Sequence, residues 1–311
     1  MQYKRIISSI TGILLSFGMT FTGLPLTIDM PVFAVEDTFI SSEFTETDIK
    51  QIVSDAALDS GDLAAEVVDI SVTAGNSIDE KASVNESKVG DSAVSSHDWS
   101  AYVSDTLPSR LSTNERKLYD AFDDVLSTYL NNSNVSATPY KISSTNTTYY
   151  VTSSINYKNY GFSKTEAVAI AQMFLYNNPQ YYFTSSVFLT TSNNIWFTLY
   201  PSFTNGTTRA NQTNSLFTTL DNWIVLCSDY ESTTYLKERS THDMMCDYIS
   251  YVIGDYDQSV YSALIQNQTV CAGYSELFSM MMNAMDIDTM VVLSDSHAWD
   301  IIELDDGNYY A

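Results

Sequence analysis

An α+β fold is expected of positions 99–311, on three observations. Ser112-Thr-Asn-Glu115 and Ser163-Lys-Thr-Glu166 have capping-box spacing ahead of apolar residues that recur at helical period. Tyr181 to Tyr200 reads as two strands around the polar break Ser192-Asn193-Asn194. Late in the chain, a helix pattern that opens at Cys271 is followed by a short apolar strand, Met290 to Leu293, and by a second strand pattern opening at His297.

The ends of the chain bound what it can do. Lys4 and Arg5 precede an uncharged run from Ile6 to Ile28, and Val32-Phe33-Ala34 offers the small residues a signal peptidase needs, so 1–34 reads as an export signal cleaved after Ala34. The rival reading is an uncleaved anchor, against which stand Pro25 and the admixture of Ser, Thr and Gly. From 35 to 98 the acidic residues face only Lys50, Lys81 and Lys88, and the aromatics shrink to Phe39 and Phe44. Such a stretch buries too little apolar surface to offset its ordering entropy, so it is expected to be a disordered acidic spacer, with a transient helix over 48–68 at most. The protein is then expected to be secreted or associated with the cell surface.

With 14 Lys and Arg against 38 Asp and Glu, a formal charge of −24, nucleic acid is excluded as a partner because its binding rests on basic contacts. Three cysteines, Cys227, Cys246 and Cys271, leave at least one thiol unpaired. Cys227 and Cys246 read as small buried hydrophobes, Cys246 on the apolar face of a helix. With three histidines, His97 in the spacer, His242 and His297, no metal cluster at standard ligand spacing can be assembled, so neither metal nor cofactor is expected.

In chain order, 99–230 is a mixed α/β region. Leu118, Phe122, Val125, Leu126 and Tyr129 define a helix over about 115–130. Tyr149 to Tyr157 reads as a strand, and Val168, Ile170, Ala171, Phe174 and Leu175 define a second helix that stops before Pro179. Phe203 to Asn214 reads as a polar loop. Helical patterns follow over 215–223 and 234–252, the latter with Tyr235, Arg239, His242, Cys246 and Ile249 on one stripe. Asp305-Asp306-Gly307 reads as the turn of a closing hairpin.

The chemistry concentrates at Thr269-Val-Cys271-Ala-Gly273-Tyr274 and Ser296-His297-Ala298-Trp299-Asp300. A thiol is a useful nucleophile as thiolate, which a helix N-terminus and a nearby imidazole both favour. Gly273 allows a close backbone approach, and Leu277, Phe278, Met281, Met282 and Met285 recur at helical spacing, so the helix should be buried with Cys271 at its exposed tip. If 298–303 is a strand, Asp300 points away from His297 and Trp299. The Cys271 amide is the natural donor to an oxyanion, with Gln266 or Gln268 as further donors.

These residues resemble the transglutaminase-like superfamily of cysteine enzymes, over roughly the last 80 positions. Cys271-Ala-Gly-Tyr is similar to the family's nucleophile box and His297-Ala-Trp-Asp to its base. The resemblance implies a transglutaminase-like (papain-like) core over 231–311, with the nucleophile helix packed on an antiparallel sheet that carries the histidine. It also implies a third residue, usually aspartate, that orients the histidine and would fall just past Ala311, so that the core is truncated at its C-terminal end. The expected activity is acyl transfer or hydrolysis on peptide or glutamine amides through a Cys271 thioester, with a peptide or protein at or beyond the cell surface as substrate. The other reading is a catalytically silent, surface-displayed binding or structural module.

Overall fold

A computed structural model describes residues 66–69, 97–142, 145–191, 193–228, 233–294 and 297–311. The signal expected over 1–34 lies outside them, as does most of the spacer. The two compact units of the chain are 1–39, which is outside the described residues, and 40–311, which holds all of them.

The fold of 40–311 is mixed α+β, and its sheets are mostly antiparallel. Helix α1 (Thr106–Arg110) leads into α2 (Thr113–Asn131), whose N-terminus is closed by a full capping box. The Ser112 hydroxyl accepts from the Glu115 amide, and the Glu115 carboxylate accepts from the Ser112 amide. Ser163 and Glu166 do the same for α3 (Lys164–Tyr176), which stops three residues short of Pro179. Both starts were legible because a capping box is a local, reciprocal pair of hydrogen bonds.

The large sheet contains β1 (Glu66–Asp69), β2 (Thr138–Ile142), β3 (Thr147–Val151), β4 (Ile155–Asn156), β5 (Thr184–Thr191) and β6 (Asn194–Leu199). Its order is β1-β5-β6-β3-β2, with β4 also on β6, and only the β1–β5 pair is parallel. The expected hairpin around 192–194 is β5–β6. The single strand expected over 149–157 is instead two short strands and a 3-10 turn, Tyr157–Tyr160. A further difference lies in the stretch read as spacer, where Glu66–Asp69 pairs with Val187–Thr190. An exposed sheet edge supplies ladder hydrogen bonds to a segment whose composition promises none. His97, also assigned to the spacer, stacks on Phe217 with ring centroids 3.9 Å apart and hydrogen-bonds Asn214 at 2.8 Å.

Two helical expectations are corrected. The stretch 203–214 is not a loop: α4 runs unbroken over Gly206–Ser228. Its polar start is organised by Arg209, which is fully buried; its guanidinium donates to the carbonyls of Tyr129 (2.9 Å), Phe203 (2.9 Å) and Val135 and lies over the rings of Tyr129 and Phe183. No periodicity rule registers an arginine as core. The second helix, α5 (Thr234–Tyr248), ends four residues early, because the Ser250 and Val252 amides bond the carbonyls of Asn267 and Thr269 and draw the chain into β7 (Ser250–Tyr251). Its buried residues are Thr241 and Met245; of the expected stripe, Tyr235, Arg239 and His242 are exposed and Ile249, just past the helix, is buried, and Cys246 is exposed rather than a small buried hydrophobe. Cys227 is fully buried as expected.

The C-terminal part consists of α6 (Val260–Gln266), β8 (Gln268–Thr269) parallel to β7, α7 (Cys271–Ala284), and an antiparallel sheet β11-β10-β9, with β9 at Thr289–Leu293, β10 at Ala298–Glu303 and β11 at Tyr309–Tyr310. Gly307, at φ +76°, makes the expected turn between β10 and β11. Helix α7 packs on α6, β9 and β10. One hydrophobic cluster joins both sides of position 230, with Phe122, Phe174 and Leu220 in the same core as Leu277, Met281 and Met290. The Asn177 side chain reinforces the join: its amide donates to the Val291 carbonyl at 3.1 Å and its oxygen accepts from the Val291 amide at 3.0 Å. Among the described residues, no helix is long and apolar enough to cross a membrane.

Replacing Arg209 by Met keeps the volume but orphans three carbonyls; it should lower unfolding stability by about 3 kcal/mol, read as a lower urea midpoint at unchanged m value. An unchanged midpoint would mean that the guanidinium does not organise the start of α4.

Candidate functional site

The site is built at the N-terminus of α7. Asn267, in the left-handed conformation at φ 55°, ends α6 and turns the chain into β8. Thr269, fully buried, donates its hydroxyl to the Asp257 carbonyl at 2.6 Å and accepts from Ser262 at 3.0 Å, while the Val270 amide bonds the same Asp257 carbonyl. Thr269 and Val270 are thus both fastened to Asp257 before the helix begins, and Cys271 is its first residue. Gly273 seats this turn against its neighbours. A Cβ there would stand 2.0 Å from the Thr269 hydroxyl oxygen and 2.8 Å from the Ser259 carbonyl oxygen, so no other residue fits without displacement.

Helix α7 sinks into the core from its second residue onward. Ala272, Leu277, Met280, Met281 and Met282 are fully buried, and Phe278 is half-buried. Cys271 is half-buried and packs on a small cluster made by Tyr176, Ala272, Val291, Leu293 and Ala298. Ala298 follows His297, and consecutive Cα atoms are about 3.8 Å apart. The backbone of the predicted base is therefore next to a residue whose side chain belongs to the cluster under the thiol.

The imidazole itself is exposed, lies 6.1 Å from the Trp299 ring in a stacked orientation, and has no hydrogen bond to the thiol among the described residues. Strand alternation accounts for this: Ala298 and Asp300 turn toward α7, where the Asp300 carboxyl meets Ser275, while Trp299 turns the other way with His297. Burial holds the Asp300 carboxyl well above the usual carboxylate range, and its Oδ1 is buried without a partner. Trp299 is half-buried.

Two residues that the motifs did not single out stand at the thiol. The Tyr251 hydroxyl stands beside the amide and the thiol of Cys271, its ring stacked on Tyr274 at 6.1 Å; desolvation, and then the Cys271 thiol, raises its titration, while the Cys271 amide lowers it. A phenol is therefore next to the amide expected to serve an oxyanion. Tyr176 presents a fully buried hydroxyl that has no hydrogen-bond partner. Tyr251 was missed because it fell inside a run that read as helix, and Tyr176 because nothing in sequence places the end of α3 beside a residue 95 positions later. The proposed glutamine donors are not seen to join them: Gln266 is exposed and the Gln268 side chain lies toward Gly254.

A different thiol does meet a histidine. The Cys246 sulfur lies 3.6 Å from His242 Nε2, and His242 Nδ1 lies 3.3 Å from Asp243. This set is a poor nucleophile, because burial and then the carboxylates of Asp243 and Asp247 raise the thiol. No group of three or more His, Cys, Asp or Glu side chains able to hold a metal is present among the described residues.

Two outcomes follow. Gly273→Ala should destabilise the protein by about 2 kcal/mol and loosen the start of α7, measured as a lower melting temperature together with faster amide exchange at 271–274. Iodoacetamide should alkylate Cys271 faster than Cys246 and leave Cys227 for last, read by peptide mass spectrometry; Cys246 reacting first would remove the case for an activated Cys271.

No family model and no curated protein matches the chain. Among solved structures, a protein described as a putative protease from Parabacteroides distasonis is similar over 42% of this chain at 12% identity, with a TM-score of 0.24. The match spans 30% of that protein's length, and a likeness so weak carries no argument about activity.

Proposed function

We propose that 231–311 forms a transglutaminase-like core in which Cys271 is the nucleophile and His297 the base of an acyl-transfer reaction on peptide or glutamine amides. The observation that supports it is the placement of one thiol, half-buried, as the first residue of a buried helix and against Ala298, the strand residue that follows His297. The imidazole takes the thiol proton as sulfur attacks the amide carbon. The tetrahedral oxyanion faces the Cys271 amide, and the same proton passes to the leaving nitrogen as the C–N bond breaks. The resulting thioester is resolved by water, giving a carboxylate, or by a second amine, giving a new amide.

For this to operate, the imidazole must rotate about its side-chain bonds from the Trp299 side toward the thiol, and the substrate carbonyl must displace the Tyr251 hydroxyl from the Cys271 amide. Tyr251 is largely exposed, so its displacement breaks few contacts. The uncharged run near the N-terminus supports an extracytoplasmic peptide or protein as substrate. Asp300 is turned toward Ser275 and so does not orient the His297 ring. A second reading, a silent binding or structural module, is favoured by the exposed, unbonded ring of His297 and by the tyrosine seated on the thiol.

Intact-protein mass spectrometry after incubation with a glutamine-donor peptide separates the two. An acyl adduct should form on Cys271 and disappear in Cys271→Ala, with the melting temperature nearly unchanged because the side chain is small and half-exposed. His297→Ala should slow adduct formation by about 100-fold or more. Absence of any adduct on the folded protein would establish the silent module.

A further inference from the structure

On the exposed face of α5, one turn apart, stand His242 and Cys246. The Cys246 sulfur lies 3.6 Å from His242 Nε2, and His242 Nδ1 lies 3.3 Å from Asp243 Oδ1. A carboxylate only accepts hydrogen bonds, so the ring proton belongs on Nδ1. Nε2, the nitrogen near the sulfur, is left with an unshared electron pair. The other oxygen of Asp243 lies 3.6 Å from Arg239 Nε, one turn back along the helix.

A thiol and an imidazole in this relation have the spacing of a chelate. In a tetrahedral zinc site, with bonds of about 2.3 Å to sulfur and about 2.0–2.1 Å to nitrogen, the two ligand atoms stand about 3.5–3.6 Å apart. The observed separation meets this without movement of either side chain. A carboxylate on the second ring nitrogen is the arrangement that fixes the tautomer and direction of a metal-bound histidine. The surrounding charge also suits a dication. The carboxylates of Asp243 and Asp247 act on the thiol and that of Glu238 on the imidazole, and the last turns of a helix carry partial negative charge. The charges that make Cys246 a poor nucleophile therefore favour an ion that takes the place of the thiol proton. Both side chains are exposed, so an ion reaches them without opening the fold.

We propose that His242 and Cys246 chelate a divalent ion of the zinc and cobalt type, with Asp243 as the positioning carboxylate. The thiol releases its proton to solvent as the sulfur–metal bond forms, and water fills the positions that the protein leaves open. Sequence spacing excluded a closed cage of protein ligands; an exposed chelate of two residues does not require one. Thiolate together with imidazole selects zinc or cobalt over magnesium and calcium, which prefer oxygen ligands. The proposal is independent of the role of Cys271.

The test is titration of the full chain with cobalt(II) under a phosphine reductant, read by absorption. A thiolate-to-cobalt band in the near ultraviolet should grow in and saturate in the micromolar range. Zinc should abolish it by displacement, whereas millimolar calcium or magnesium should not. Cys246→Ala should remove the band, His242→Ala should weaken binding by about tenfold or more, and Asp243→Asn by several-fold. All three positions are exposed, so these variants should keep the melting temperature of the parent chain. Cys271→Ala should leave the band intact, which separates this thiol from the candidate nucleophile. The proposal would be overturned by the lack of a band below millimolar cobalt, by a band that persists without Cys246, or by binding that His242→Ala does not weaken. An unchanged affinity in Asp243→Asn would overturn the positioning role of that carboxylate.

Discussion

The close approach of Gly273 to the Thr269 side chain and the Ser259 carbonyl is the constraint from which the C-terminal part takes its form. It lets α7 begin almost immediately after β8, so that a mostly buried helix carries a half-buried thiol as its first residue. A helix start with free amides and partial positive charge is a natural place for a reacting thiol. Here the start is immobilised by hydrogen bonds of the residues before it, so the position of the sulfur is set by backbone geometry and not by side-chain packing alone.

That arrangement extends into 99–230. The end of α3 supplies Tyr176 beneath the thiol, and the next residue, Asn177, bonds both backbone groups of Val291 as another strand would. On the other side, Ser104 and Thr106 bond the Asp288 carboxylate at the loop between α7 and β9, and Tyr309 reaches the same carboxylate at 2.6 Å. Residues of 99–230 therefore pack at both ends of α7, Tyr176 at its start and Ser104 and Thr106 past its end.

The same packing explains the separation of the two motif residues. Strand β10 must turn Ala298 and Asp300 toward α7, because a small residue is needed where the helix start comes close. Alternation then carries His297 and Trp299 to the outer face.

Several features were determined by sequence alone because they are local. The capping boxes at Ser112 and Ser163, the hairpin at 192–194, the turn at Gly307 and the start of α7 at Cys271 each depend on residues within a few positions of one another, and each stands where expected. Tertiary structure decided the rest. Only a three-dimensional cage of carbonyls makes Arg209 a core residue and turns a polar stretch into helix. Only pairing with β8 ends α5 at Tyr248 and brings Tyr251 onto the thiol, and only an open sheet edge makes Glu66–Asp69 a strand. Local spacing can announce a helix start or a turn because the partners are near in sequence; it is silent where the partner that satisfies a buried donor or fills a cleft lies a hundred residues away.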